Sequence, residues 1–169
     1  MPIPKSLLSF LDKRKIKYET LKHRIVYTAY DKAATLGLKP QQVAKTIIVN
    51  LDKKDHVLGL IPANKNLDKK KLMALINKQR QKAKLPNHKK IDFADEKWMK
   101  KTLKGIKLGA TPAFGILYKL PTFIDSALAN QPKIIINAGD YQNSFKIAPS
   151  SLFKLDKNAI KGSFSQAKK

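Results

Sequence analysis

Two apolar runs joined by one short polar link constrain this chain more than any other feature. The first lies in QQVAKTIIVN at 41–50 and carries Thr46, Ile47, Ile48 and Val49; the second is HVLGLIPA at 56–63. β-Branched residues in a short unbroken run mark a buried strand, because their stiff side chains pack well on a pleated surface. The link LDKKD at 51–55 allows only a tight connection, so the runs read as an antiparallel hairpin in the core. Lys45 stands where the first strand goes inside. Its methylenes can lie along apolar surface with the ammonium at the mouth of whatever the sheet encloses. Periodicity leaves that reading beside a plainer one, a solvated cation at a strand start.

The flanking segments supply partners for such a hairpin. Residues 5–14 read as an amphipathic helix with Leu7, Leu8, Phe10 and Leu11 on one stripe, and Tyr18–Leu21 as a short strand. Thr28 with Asp31 three residues on resembles a capping box, opening a helix through Ala33, Ala34 and Leu36 that Gly37 ends. Pro40 fits the first position of a single helical turn. Asn66 or Asp68 caps a helix with Leu72, Met73, Leu75 and Ile76 inward. Residues 92–103 are expected to be helical, with Phe93, Trp98, Met99 and Leu103 in the core rather than Trp98 stacking a base. PTFI at 121–124 and KIII at 133–136 are strands flanking a helical turn capped by Asp125. A sharp turn at Asn137–Asp140 follows, then a returning strand at 145–147 and a last helix at 150–155.

With 169 residues, no repeat and no Pro-, Gly- or Ser-rich linker, the chain is expected to be one domain over 1–156. A basic tail at 157–169 is expected to be loosely ordered. Thirty-five Lys and Arg against 12 Asp and Glu leave a net charge of +23, which points to a polyanionic partner and says nothing of fold. The run at 78–90 carries Lys78, Arg80, Lys82, Lys84, Lys89 and Lys90 with no acid between, either as a solvated face or as phosphate contacts. No run approaches the roughly 18 apolar residues of a membrane span, and no single basic amphipathic helix gathers the charge. The N-terminus lacks a signal peptide's pattern, so a cytoplasmic, nucleic-acid-facing protein without a membrane partner is the expectation.

Conventional catalytic signatures are missing. Without cysteine there is no disulfide, thiolate nucleophile or thiolate metal site. His23, His56 and His88 are scattered without metal-ligand spacing, and His56 and His88 fall in expected polar turns where solvation is the default. Phosphate-loop, dinucleotide and nucleophile-elbow patterns are absent as well. Neither metal nor cofactor is expected, and any chemistry rests on positioning and charge.

The order of the pieces is more specific than any one of them. His23 is followed by Tyr27-Thr28-Ala29 and a helix ended by Gly37; then come VAKTIIV with Lys45, LGLIPA and Asp68–Leu72; later come GATPAFG at 109–115, PTFIDSAL at 121–128, NAGD at 137–140 and Pro149–Leu152. This series resembles the YbaK/prolyl-tRNA synthetase-associated domain family, over nearly the whole chain to about residue 155. The resemblance implies an α+β domain with a distorted, barrel-like mixed sheet and surrounding helices. It also implies hydrolysis of the ester joining an amino acid to the terminal adenosine of a mischarged tRNA. The partners implied are the aminoacylated acceptor end of tRNA and, behind it, an aminoacyl-tRNA synthetase.

Carried over residue by residue, Lys45 matches the lysine most tied to activity, and Gly109 the glycine of the substrate-binding loop. Phe114 and Gly115 match the loop's end, and Gly139 the turn across the pocket. Where the family loop has proline before its last two residues this chain has Ala113, with Pro112 one earlier. Where the turn often has histidine or aspartate it has Tyr141, after Asp140. The scheme that follows has Lys45 anchoring a phosphate or ribose hydroxyl, with Gly109 and Ala110 N–H groups on the ester carbonyl. A water held by the substrate's own hydroxyl attacks. Thr46, Pro112, Phe114 and Ile136 are candidate walls of a size-selecting pocket. The second reading is a non-catalytic basic RNA-binding protein that keeps the fold.

Overall fold

The computed structural model describes residues 3–168. Helix α1 (Lys5–Lys13) turns Leu7, Phe10 and Leu11 inward, the stripe expected of an amphipathic helix. Strand β1 (Glu19–Lys22) leads to α2 (Ala29–Leu36). That helix opens on the Thr28 hydroxyl, which accepts from the Asp31 N–H at 3.0 Å, and closes on Gly37 in the left-handed region. A 3-10 turn at Pro40–Gln42 delivers the chain into β2 (Ala44–Leu51), which pairs with β3 (Asp55–Pro62) along its whole length. Strand β4 (Lys65–Leu67) precedes α3 (Lys69–Lys82), whose cap is Asp68 rather than Asn66. Then come β5 (Ile91–Phe93), α4 (Glu96–Thr102), β6 (Thr122–Asp125), α5 (Ser126–Ala129) and β7 (Ile134–Asn137). The chain ends with β8 (Asn143–Ile147), α6 (Pro149–Leu155), β9 (Ile160–Gly162) and β10 (Ser165–Ala167).

The α+β class is as expected, although the strands form three sheets instead of closing one barrel. The largest is mixed, in the order β5-β2-β3-β6-β9, with the β2–β3 hairpin at its centre. A second sheet, β1-β8-β7, is antiparallel throughout, and β10 pairs with β4 in the third. A single parallel bridge, Val43↔Ile135, ties the second sheet to the first. Alternation along β2 sends Ala44 and Ile48 to the larger core cluster and Val49 and Leu51 to the other. Among the described residues no helix is long and apolar enough to cross a membrane.

Three expectations need correction. Residues 91–93 are not helical: they form an edge strand on β2, Phe93 is 56% exposed, and the helix starts only after Asp95, whose carboxylate accepts from the Trp98 N–H at 2.7 Å. Residues 157–167 are not a loose tail. The Asp125 carboxylate caps α5 as expected but also accepts from the Phe164 N–H at 2.9 Å and the Ser165 hydroxyl at 3.0 Å. These bonds seat the fully buried Phe164 ring over Gly59, a burial worth about 1.5–3 kcal/mol. Nor are the two turn histidines solvated. His56 stacks on half-buried Trp98 with ring centroids 3.6 Å apart, and His88 is buried between two aspartates.

Candidate active site

The bridge between the two larger sheets marks the site. Lys45 and Asn137 each lie two residues beyond the bridged pair Val43 and Ile135, so both extend from the bridged face. Among the described residues that bridge is the one pairing between the two sheets. Lys45 is half-buried and lines a cleft of about 650 Å³ with Ile47, Asn66, Asp68, Lys69 and Gln166. Burial lowers its pKa from the ordinary lysine value, and the like charge of Lys168 lowers it further. The C-terminal strand therefore contributes Gln166 to the wall of this cleft, and Lys168 just after it adds a like charge near Lys45.

On the β7 side of the bridge, the Asn137 side chain holds the loop. Its Nδ2 donates to the Gly109 carbonyl at 3.4 Å and the Thr111 carbonyl at 3.2 Å, while its Oδ1 accepts from Lys32 Nζ at 2.6 Å. Lys32 is only 4% exposed, and burial brings its pKa down to about 8, against the opposing pull of the Asp140 charge. The loop and the turn after β7 are laced by backbone: Gly139 N–H donates to the Ala110 carbonyl at 3.1 Å and Lys107 N–H to the Gly139 carbonyl at 2.9 Å. Ala110 N–H itself donates to the Lys107 carbonyl at 3.0 Å, whereas Gly109 N–H makes no hydrogen bond among the described residues.

Two glycines make this lacing possible. Gly109 sits at φ 82° and Gly139 at φ 97°, where an L side chain is strained. A Cβ on Gly139 would also lie 2.9 Å from Ile106 Cδ1. Asp140 accepts from the Gln142 and Asn143 backbone N–H groups and is thereby committed to its own turn. The Tyr141 hydroxyl donates to the Leu108 carbonyl at 2.7 Å, and its ring meets exposed Tyr27 edge-on at 4.8 Å between centroids.

Lys45 lines the cleft beside β4 and β10, while Gly109, Ala110, Gly139, Asp140 and Tyr141 gather around Asn137 and the turn after β7. The other expected residues do neither. Phe114 is buried and packs on Phe10 and Phe145, with centroids 5.8 and 6.2 Å away. Gly115 is pressed against Thr122 and the Leu120 carbonyl, where any Cβ would collide. Pro112 is buried, and Ile136 lies in the larger core cluster. Thr46 projects to the opposite face of β2 from Lys45, with its hydroxyl buried and unpartnered among the described residues. Sequence reasoning missed Lys32, the Asn137 amide, Gln166 and Lys168. Lys32 had left a signal: it falls three residues after Ala29 and four before Leu36, on the inward stripe of α2. Among the described residues no cluster of three or more His, Asp or Glu could hold a metal ion.

Comparison with known proteins adds to this geometry. A family model described as an aminoacyl-tRNA editing domain matches residues 23–155. EbsC of Enterococcus faecalis, which bears the name of a Cys-tRNA(Pro)/Cys-tRNA(Cys) deacylase by assignment, is 28% identical over 123 residues, 73% of this chain and 68% of that protein. The crystal structure of a hypothetical protein superposes with a TM-score of 0.77 at 17% identity, covering 95% of this chain and 99% of the other. A crystal structure assigned as a trans-editing enzyme for prolyl-tRNA synthetase gives 0.76 at 20% identity, covering 99% of each chain. At these identities the superpositions speak for the fold alone.

Proposed function

The chain belongs to the aminoacyl-tRNA editing domain family, and from that premise we propose that it is a trans-acting aminoacyl-tRNA deacylase. The observation that carries this reading is the Asn137 cradle, which holds the Gly109 loop on β7, the strand bridged to Val43 just ahead of Lys45. The reaction adds water to the ester carbonyl carbon. The carbon–oxygen bond to the ribose then breaks, the ribose oxygen takes a proton, and the free amino acid leaves.

Lys45 is the anchor for a phosphate or ribose hydroxyl of the terminal adenosine. Its ammonium shares the cleft with Lys69, which strengthens the local attraction for a polyanion. Gly109 N–H is the donor aimed at the developing oxyanion, and Ala110, its own N–H engaged, supplies the carbonyl that ties the loop to Gly139. Because Asp140 and Tyr141 are committed to backbone partners, the attacking water is held by the substrate's remaining ribose hydroxyl rather than by a protein base. The net charge of +23 draws the acceptor end by sequence-independent phosphate attraction. The synthetase that makes the mischarged tRNA is the second partner to seek.

Release of alanine, serine and cysteine from mischarged tRNA by the native protein and by Lys45→Ala tests this. Loss of one charge-assisted hydrogen bond, about 1.5–3 kcal/mol, corresponds to a roughly tenfold to hundredfold slower release. Equal rates across the panel overturn the reading. Steeply salt-dependent RNA binding with no preference for an aminoacylated end would favour the non-catalytic alternative.

A further inference from the structure

Lys32 is the one buried lysine among the described residues, and the scheme above does not use it. We propose that Lys32 is a positioning residue of the site: its ammonium fixes the orientation of the Asn137 amide, which in turn sets the backbone of the Gly109–Thr111 loop. The inference rests on the deacylase reading only for its activity readout. Its geometric basis is independent.

An asparagine amide can sit either way round, and its neighbours decide which end faces where. An ammonium only donates, so at 2.6 Å it commits Oδ1 to Lys32 and turns Nδ2 toward the Gly109 and Thr111 carbonyls. The reverse orientation would oppose an amide oxygen to two carbonyl oxygens and an amide N–H to an ammonium. Both contacts are repulsive. The two carbonyls already disfavour the reverse orientation, and the ammonium adds to that preference a charge-assisted bond that a neutral amine, which can also accept, would weaken. Gly109 at φ 82° makes no hydrogen bond through its own N–H among the described residues, so the Asn137 amide on its carbonyl is a direct hold on it, beside the bonds that fasten Leu108 and Ala110.

Burying an ammonium is unfavourable unless something compensates. Asp140, on the turn that follows β7, is the charged group acting on Lys32 from the elements around it, and it favours the ammonium against burial. With a pKa of about 8, the proton is present at neutral pH and leaves as the pH rises through that value. Above it the loop should be held less tightly.

The test uses the full chain with Lys32→Met, which keeps the methylene packing and removes the donor, and with Asn137→Ala. Two readouts are taken: kcat and KM for deacylation between pH 6.5 and 9.5, and amide exchange of residues 109–111. The expected result for Lys32→Met is about tenfold lower kcat at neutral pH with KM for the tRNA unchanged, the gap to the native protein closing above about pH 8. Loop amides should exchange faster in both variants, and the double variant should lose no more than Asn137→Ala alone. Native kcat, pH profile and loop exchange in Lys32→Met overturn the proposal, as does an additive double variant. If the native protein deacylates no mischarged tRNA, the deacylase reading fails, and loop exchange alone then decides the role of Lys32. If Lys32→Met does not fold, native-like loop exchange and kcat in Asn137→Ala overturn the proposal and their shared loss supports it.

Discussion

The two ends of β2 are built on opposite principles. At its far end the strand turns through Asp52 and Lys53, both in the left-handed region without being glycine. That strain is offset by dense pairing. The Asp52 carboxylate accepts from the Lys89 and Lys90 N–H groups at 3.1 and 2.7 Å and meets His88 Nδ1 at 3.0 Å, and His88 Nε2 reaches Asp55 at 3.1 Å. Asn77 then holds the His88 backbone from both sides. The near end has the reverse character. There the strand meets β7 at one bridge, the Thr46 hydroxyl lacks a partner among the described residues, Lys45 is crowded by Lys168, and Lys32 is buried with its charge. One strand is thus densely paired at its far end and carries unfavourable groups at the end beside β7. Local rules broken together in one place mark a working site more reliably than any single lysine does.

The largest expected effect comes from breaking the near end through its turn. Gly139→Ala combines left-handed strain with a Cβ 2.9 Å from Ile106 Cδ1, whereas Gly109→Ala carries the strain with only an ordinary contact, the Tyr27 carbonyl at 3.6 Å. Strain alone costs about 1–2 kcal/mol, and the added contact should take Gly139→Ala to about 2–4 kcal/mol. Chemical denaturation of the two variants measures the difference. If Gly109→Ala proves the more destabilising, the turn after β7 is not what the loop is fastened to.

At the far end the comparison is sharpened by acid. Hydrogen bonding from His88, then from the Lys90 and Lys89 N–H groups, holds the Asp52 carboxyl down at about 2, below its ordinary 3.8. A depressed carboxylate adds stability that is complete above the ordinary value and is lost as the pH falls through the folded one. Asp52→Asn should therefore be less stable than the native protein at pH 6, with the difference shrinking between about pH 4 and pH 2. Lys45→Ala, which removes a charge the fold disfavours, should show no loss at either pH. A constant gap for Asp52→Asn down to pH 2 would mean that its charge is not what holds the turn.

How much of this was legible in the sequence follows the range of the interactions. The hairpin, the Thr28 and Asp68 caps and the Gly37 stop are written within a few neighbouring residues, and strand or helix periodicity exposes them. Pairing over long separations leaves no such trace. Nothing near Phe164 announces that Asp125 will receive its N–H, and Phe93 looks helical until its pairing with Val49 is known. In the candidate site the same division holds. The ordered motifs point to Lys45, Gly109 and Gly139, but a loop has no period from which to read direction, so Phe114 and Gly115 read as pocket residues, whereas Phe114 packs on Phe10 and Gly115 lies against Thr122 and the Leu120 carbonyl. Lys32 was readable as an inward position and was overlooked because lysine is so seldom inside.

The smallest expected effect separates the two causes that lower the Lys45 pKa. Burial is the larger and the Lys168 charge the smaller, and Lys168 follows directly on β10, whose pairing with β4 brings the C-terminal segment near Lys45. Lys168→Ala should therefore move the Lys45 titration upward, but only part of the way to the ordinary lysine value. Added salt should produce a similar rise in the native protein and almost none in the variant, because screening acts on the like-charge pair and hardly on desolvation. Nuclear magnetic resonance of the Lys45 Cε and Nζ reads both. A full return to the ordinary value would make Lys45 a solvated cation at a strand start. An unmoved titration would detach the C-terminal strand from the cleft, and with it the wall that Gln166 contributes.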